Sequence, residues 1–225
     1  MKAFLALLAL AALAAPSVAA GSQCFGTVSK GRLTGAVQMP LSGANYSAYS
    51  ARAHAAGRTY VHAQVQRSIV NAYDAIARSG SASIYVYGET GFAAGGPFAP
   101  HKSHQNGLSV DFFVPVVDAN GKPVAPPTSE QTRLGYDIEF DARATYGQYR
   151  IDFAAMAEHL YQLQRAALAQ NAGIALVIFD PRYLPALFAT ARGPYLKKNL
   201  VFMRKDPWVR HDEHYHVNFA IACKR

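Results

Sequence analysis

Charge is sparse in this chain. Only 16% of its 225 residues are charged, with 14 Asp and Glu against 22 Lys and Arg. The resulting net charge of +8 favours anionic surroundings without naming them. Cysteine is nearly absent: two residues exclude a cysteine-rich scaffold and a cysteine-based zinc finger. No apolar run beyond the N-terminus approaches the roughly 20 residues that cross a bilayer, so no stable membrane insertion is read. The basic pairs Lys197-Lys198 and Arg204-Lys205 carry no interleaved aromatics, which reads as a solvated face rather than a nucleic-acid site. Internal repeats, coiled-coil heptads and low-complexity tracts are also missing. What is present is a mean hydropathy near zero with 12% aromatic residues, against intrinsic disorder. The length suits one domain with its own core. Eight histidines remain, and five of them fall in two short clusters.

The first twenty residues have the layout of an export signal. Met1-Lys2 is a short positive start, Ala3 to Ala15 is apolar, and Pro16-Ser17 breaks the run before the small residues Val18-Ala19-Ala20. This predicts residues 1–20 as a signal peptide and 21–225 as the exported domain. In an oxidising compartment Cys24 and Cys223, near the two ends of the mature chain, favour a disulfide over two separate free thiols.

The order of elements suggests one α+β domain. Residues 21–58 read as irregular structure or short edge strands. A helix is expected from Thr59, with Val61, Val65, Ile69, Tyr73 and Ile76 on one face and Gly80 as its stop. Ser83–Tyr87 and Val110–Val117 read as strands, the second apolar on both faces apart from Asp111. Between them, residues 88–108 form a long loop of the kind usually tied to function. Asn120-Gly121 signals a hairpin turn, and a strand is expected where Tyr136, Ile138 and Phe140 alternate. A second helix follows with Phe153, Met156, Leu160 and Leu163, then strands at Ile174–Phe179 and His214–Ile221. Period two puts His214 and His216 on one face of the last strand. His54, His62 and His159 read as ordinary surface or packing histidines.

The first cluster is His101-Lys102-Ser103-His104-Gln105-Asn106-Gly107-Leu108-Ser109-Val110-Asp111, and the second is His211-Asp212-Glu213-His214-Tyr215-His216. Zinc takes imidazole nitrogen and carboxylate oxygen in a tetrahedron, and a catalytic site keeps one position for water. Two His/Asp segments from distant parts of the chain can meet that count.

Gly88-Glu89-Thr90-Gly91-Phe92-Ala93-Ala94-Gly95-Gly96-Pro97-Phe98, running into His101-x-x-His104-x-x-Gly107-x-x-x-Asp111, resembles the penicillin-insensitive murein endopeptidases. Trp208-x-x-His211-x-x-His214-x-His216-Val217 completes the resemblance, which places the chain in the wider group of lysostaphin-type, D-Ala-D-Ala and hedgehog-like zinc peptidases. Both cysteines also stand where the family's stand. The resemblance implies that group's fold, a central antiparallel sheet flanked by helices and long loops, and one Zn2+ per chain, held by His104, Asp111 and His216. His101 stands beside it as a further ligand or as a hydrogen-bond partner of one. His211 and His214 are implied as catalytic. Glu213 stands three residues before His216, where the D-Ala-D-Ala peptidases carry a catalytic Glu. On a regular strand it would instead point away as a solvated acid. Trp208, Tyr215 and Phe98 are candidates for lining the substrate groove, and Glu89 for shaping it. The implied activity is periplasmic cleavage of D-Ala–meso-diaminopimelate cross-links between peptidoglycan stem peptides by a water activated at the metal. Trimming of D-Ala-D-Ala termini, or wall-peptide binding without cleavage, are the alternatives. The oligomeric state cannot be read.

Overall fold

The computed structural model describes residues 21–205, Pro207 and 209–225. The expected signal peptide and Trp208 lie outside the described residues. The chain opens with short strands β1 (Gln23–Thr27), β2 (Lys30–Thr34), β3 (Val37–Gln38) and β4 (Tyr46–Ala48), as expected for 21–58, plus a one-turn helix α1 (Ala51–Ala55). Next come β5 (Tyr60–Val61), helix α2 (Ala63–Arg78), β6 (Tyr85–Tyr87), β7 (Ser109–Phe113), β8 (Val116–Val117) and β9 (Pro123–Val124). After a 3-10 stretch at Glu130–Gly135 follow β10 (Thr145–Tyr146), β11 (Tyr149–Ile151), helix α3 (Phe153–Ala169) and β12 (Ile174–Ile178). Short helices α4 (Leu184–Phe188) and α5 (Gly193–Asn199) then lead to β13 (His214–Phe219).

The central sheet has the order β12-β13-β7-β6-β4 and is antiparallel except for the edge strand β4, which runs parallel to β6. Smaller sheets pair β10-β11-β8-β9, β1-β2 and β3-β5. Alternation divides the central sheet into two chemical faces. One face carries Phe112 and Tyr215, whose rings meet each other and His159 of α3. Helices α2 and α3 pack together over this face, burying Val65, Ile69, Tyr73, Ile76, Met156, Leu160 and Leu163 completely. At roughly 1.5–3 kcal/mol for each fully buried large apolar side chain, these two stripes carry much of the driving force for folding. The opposite face carries Asp111, His214 and His216.

Local chemistry moves several expected boundaries. The first long helix begins at Ala63, because Tyr60–Val61 pair with β3 and His62 is extended. His62 Nδ1 caps the helix by accepting the Gln64 N–H at 3.2 Å. The strand expected over Val110–Val117 breaks after Phe113. Pro115 has no N–H for the ladder, and Val116–Val117 join β9 and β11 instead. The Asn120-Gly121 turn does close the β8–β9 hairpin, with the Asp118 carboxylate accepting the N–H groups of Asn120 and Lys122, both at 2.9 Å. No strand forms at Tyr136, Ile138 and Phe140. That segment is a 3-10 stretch and turns, and it buries Ile138 and Phe140 in the core.

Candidate active site

Strand pairing between β7 and β13 creates the centre. Asp111 lies directly opposite His216 in the ladder, and His214 lies opposite Phe113, one step along the same face. Asp111 is fully buried, and its Oδ1 sits 2.8 Å from His216 Nδ1, 3.3 Å from His104 Nε2 and 3.8 Å from His214 Nε2. His101 Nδ1 approaches the other oxygen, Oδ2, at 3.9 Å. Burial pushes this carboxyl up, but the neighbouring His104 and His214, with the hydrogen bond to His216, outweigh it and hold Asp111 well below the usual range.

The loop before β7 delivers His101 and His104. Gly91 stands at φ +145°, and a Cβ there would meet the His104 carbonyl oxygen at 2.7 Å, so the two loop segments can touch only at glycine. His104 itself has φ +66°, an uncommon conformation for a residue with a side chain. It is fully buried, and burial lowers its pKa.

Three histidines share one arrangement. His101 Nε2 donates to Glu89 Oε2 at 2.5 Å, His104 Nδ1 donates to the Thr90 carbonyl at 3.2 Å, and His216 Nε2 donates to Asn218 Oδ1 at 2.9 Å. Each outer nitrogen thus has a fixed acceptor, and each inner nitrogen faces Asp111. His104 Nε2 is buried with no hydrogen-bond partner. Metal-binding histidines are commonly held this way, with the second ring nitrogen tied to a carboxylate or backbone carbonyl. Donor atoms of His101, His104 and Asp111 lie within 4.8 Å of one another, close enough to hold a metal ion. The residues therefore fit a small cation with nitrogen and oxygen ligands, which zinc is.

His211, Glu213 and His214 complete the centre, all at least 94% buried. Glu213 precedes the first residue of β13, so strand alternation does not turn it outward. It is buried and binds His214 Nδ1 through Oε1 at 2.8 Å, which overturns the solvated-acid alternative. Burial lowers the His214 pKa, yet the Glu213 and Asp111 carboxylates raise it to about 9. His211 is driven the other way, to about 4, by burial and by His214, whose ring lies 4.6 Å away. Burial raises Glu213.

Two expected groove residues sit elsewhere. Tyr215 points to the helix face of β13, is fully buried, and its hydroxyl bonds His159 Nδ1 at 2.6 Å. Phe98 is 1% exposed and packs against His101 and His104, with both ring centroids at 5.6 Å. It supports the histidines from behind. Glu89 shapes the site as expected, receiving His101, Arg58 and the Tyr49 hydroxyl, the last at 2.8 Å. Burial opposes its ionisation, but the His101 and Arg58 hydrogen bonds hold its pKa down at about 2. Tyr136 is the residue that sequence reasoning missed. Its hydroxyl accepts the Glu89 N–H at 3.0 Å and donates to Asp111 Oδ2 at 3.1 Å.

A cavity of about 480 Å3 opens over this centre, lined by His101, Tyr136, His211, Glu213, His214 and His216 among others. A second hollow of about 400 Å3 adjoins it, sharing His211 and His216. Cys24 and Cys223 form a disulfide, as expected for an exported chain.

Comparison with known proteins agrees with this geometry. The Penicillin-insensitive murein endopeptidase of Klebsiella pneumoniae (strain 342) is 27% identical over 202 residues, which cover 89% of this chain and 67% of that protein. The family described as penicillin-insensitive murein endopeptidase matches residues 24–225, the whole span that carries the disulfide, both histidine clusters and the central sheet, and the chain belongs to that family.

Proposed function

We propose that the protein is a periplasmic zinc peptidase that hydrolyses D-Ala–meso-diaminopimelate cross-links between peptidoglycan stem peptides, with residues 21–225 as the mature domain. The observation that carries this reading is the set of three imidazoles whose outer nitrogens are tied down and whose inner nitrogens face the buried Asp111. His104, Asp111 and His216 are the proposed ligands, with His101 a further donor held in place by Glu89. Zinc bound there would supply a water acidic enough to ionise near neutral pH and would polarise the scissile carbonyl. Against its burial, His214 is raised to about 9 by the Glu213 and Asp111 carboxylates, which holds it as an imidazolium near neutral pH. His214 donates Nδ1–H to Glu213 and carries its second proton on Nε2, which faces Asp111. It is placed to donate to the developing oxyanion, and Glu213 acts through it. His211, kept neutral by burial, is the group free to accept a proton. An unequal pair of this kind divides acid and base roles between two side chains of one type. No Ser or Cys nucleophile is required. A basic protein also suits a carboxylate-rich polymer.

The buried Glu213 favours a second reading, removal of D-Ala-D-Ala ends by the same chemistry. The two adjoining hollows support cleavage within a longer chain instead. A pure binding module would need neither His211 nor His214 in its cavity. Digestion of purified cross-linked muropeptide dimers tests all three. Dimers should become monomers with zinc present, remain intact with a chelator or with His104→Ala, and be cut again when zinc is restored. Dimers left intact by the zinc-loaded protein would overturn the proposal.

A further inference from the structure

Three arginines line the cavity, and two of them are already engaged. Arg58 is bound to the buried Glu89, and Arg210 to Asp212 at 2.5 Å and Glu139 at 2.7 Å. Arg133 differs. Its ion pair among the described residues is with Asp137, four positions along the same loop, at 3.1 Å, and both side chains are largely exposed, at 72% and 48%. Asp137 does not line the cavity, whereas Arg133 does.

The loop that presents Arg133 is built to hold it there. Arg133, Leu134 and Gly135 follow one another at φ +45°, +60° and +105°. Two of these bear side chains in a left-handed conformation that L residues adopt only at a cost. Leu134 and Tyr136 meet that cost by packing on a small apolar cluster of Tyr49, Ala53, Val86 and Phe113. Ser129 and Thr132 lock the start of the loop, with the Ser129 N–H donating to Thr132 Oγ1 at 3.0 Å. With Leu134 and Tyr136 anchored, the reversed backbone between them leaves Arg133 on the cavity wall with its guanidinium in solvent.

We infer that Arg133 is a specificity residue that recognises a free carboxylate on the substrate peptide, that of diaminopimelate beside the cleaved bond. The inference rests on the proposed function of this cavity. A guanidinium matches a carboxylate through two parallel N–H···O bonds, which lysine or glutamine cannot reproduce. The weak surface pair with Asp137 is readily exchanged for such a ligand.

Titration calorimetry on the zinc-loaded protein tests this with a stem tripeptide ending in diaminopimelate. The tripeptide has no cross-link, so turnover does not enter. Wild-type protein should bind the peptide with both diaminopimelate carboxylates free roughly tenfold more tightly than the form amidated at the recognised one. Arg133→Gln should lose that factor on the free form and bind both forms alike. Asp137→Asn should bind the free form at least as tightly as wild type, because it releases the guanidinium. Arg133→Gln with unchanged discrimination, or an equal loss on both forms, overturns the inference, as does Asp137→Asn weakening binding as Arg133→Gln does. Failure of the dimer digest while Arg133-dependent discrimination persists would overturn the cleavage reading and sustain this one.

Discussion

Tyr136 illustrates what one hydroxyl can do beside a charged group. Its bond to Asp111 Oδ2 occupies one carboxylate oxygen and leaves Oδ1 to His104, His214 and His216. The ring is held by edge contacts with Phe113 and Tyr49, at centroid distances of 5.2 and 6.1 Å, so removing the hydroxyl leaves the packing in place. If the proposed site holds zinc, Tyr136→Phe is expected to lower its affinity about tenfold or more, as loss of a ligand-orienting partner does elsewhere. Competition against a chromophoric chelator measures this, and thermal melting should fall by only the few degrees that the orphaned Glu89 N–H implies. Equal affinity in the two proteins would remove Tyr136 from the positioning network. His104 and Asp111 were singled out by the family resemblance that the His-x-x-His-x-x-Gly-x-x-x-Asp stretch carries. Tyr136 was not, because it approaches from a loop 25 residues further on, and its alternation with Ile138 and Phe140 imitates a strand.

At the scale of elements, helix α3 and strand β13 are joined by a buried polar contact with a definite acid response. His159 is fully buried between Tyr73, Tyr85, Phe112 and Tyr215, and accepts the Tyr215 hydroxyl at Nδ1. Burial lowers its pKa to about 3, against 6.5 for an ordinary histidine. Between those values the unfolded chain binds a proton that the folded chain refuses. Its contribution to stability is therefore complete above pH 6.5 and is lost progressively as pH falls towards 3. The slope from this one group reaches at most about 1.4 kcal/mol per pH unit. Denaturant melts at pH 7, 6, 5 and 4 should show this fall in the wild type and a shallower one in His159→Gln, which keeps an acceptor for Tyr215. Identical slopes would assign the acid sensitivity to other groups. The helical stripe marked α3 as packed but did not single out His159, since period alone does not distinguish a core imidazole from a surface one.

Across the whole molecule, the Cys24–Cys223 disulfide closes a span of 199 residues. It does not act alone. Lys224 makes two backbone hydrogen bonds to β1 around it, accepting the Gly26 N–H and donating to the Cys24 carbonyl, both at 2.9 Å. This ties β1 to the segment that follows β13, and β13 carries His214 and His216. By loop-closure entropy, converting both cysteines to serine should lower folding stability by about 3–5 kcal/mol. The midpoint of chemical denaturation measures it, and an unchanged midpoint would show that the terminal backbone pairing suffices. Among the described residues no helix is long and apolar enough to cross a membrane. The disulfide is also the feature that best fits passage through an oxidising compartment.

The sequence alone determined the parts of this protein that depend on near neighbours in the chain. Helical stripes at α2 and α3, the strand character of β12 and β13, the two histidine clusters and the pairing of the cysteines all rest on local periodicity, spacing or compartment. Only the tertiary structure decided what depends on meeting. Ladder register set Asp111 opposite His216, and the missing N–H of Pro115 ended β7 just beyond the site. The backbone just before β13 turned Glu213 inward against His214, and α3, packed over the far face of β13, made Tyr215 a core residue instead of a groove residue. A left-handed loop, anchored by side chains distant in sequence, brought Tyr136 and Arg133 to the cavity. Side-chain direction follows from where a strand begins, and strand ends are set by competition among distant hydrogen-bond partners, which a one-dimensional pattern does not contain.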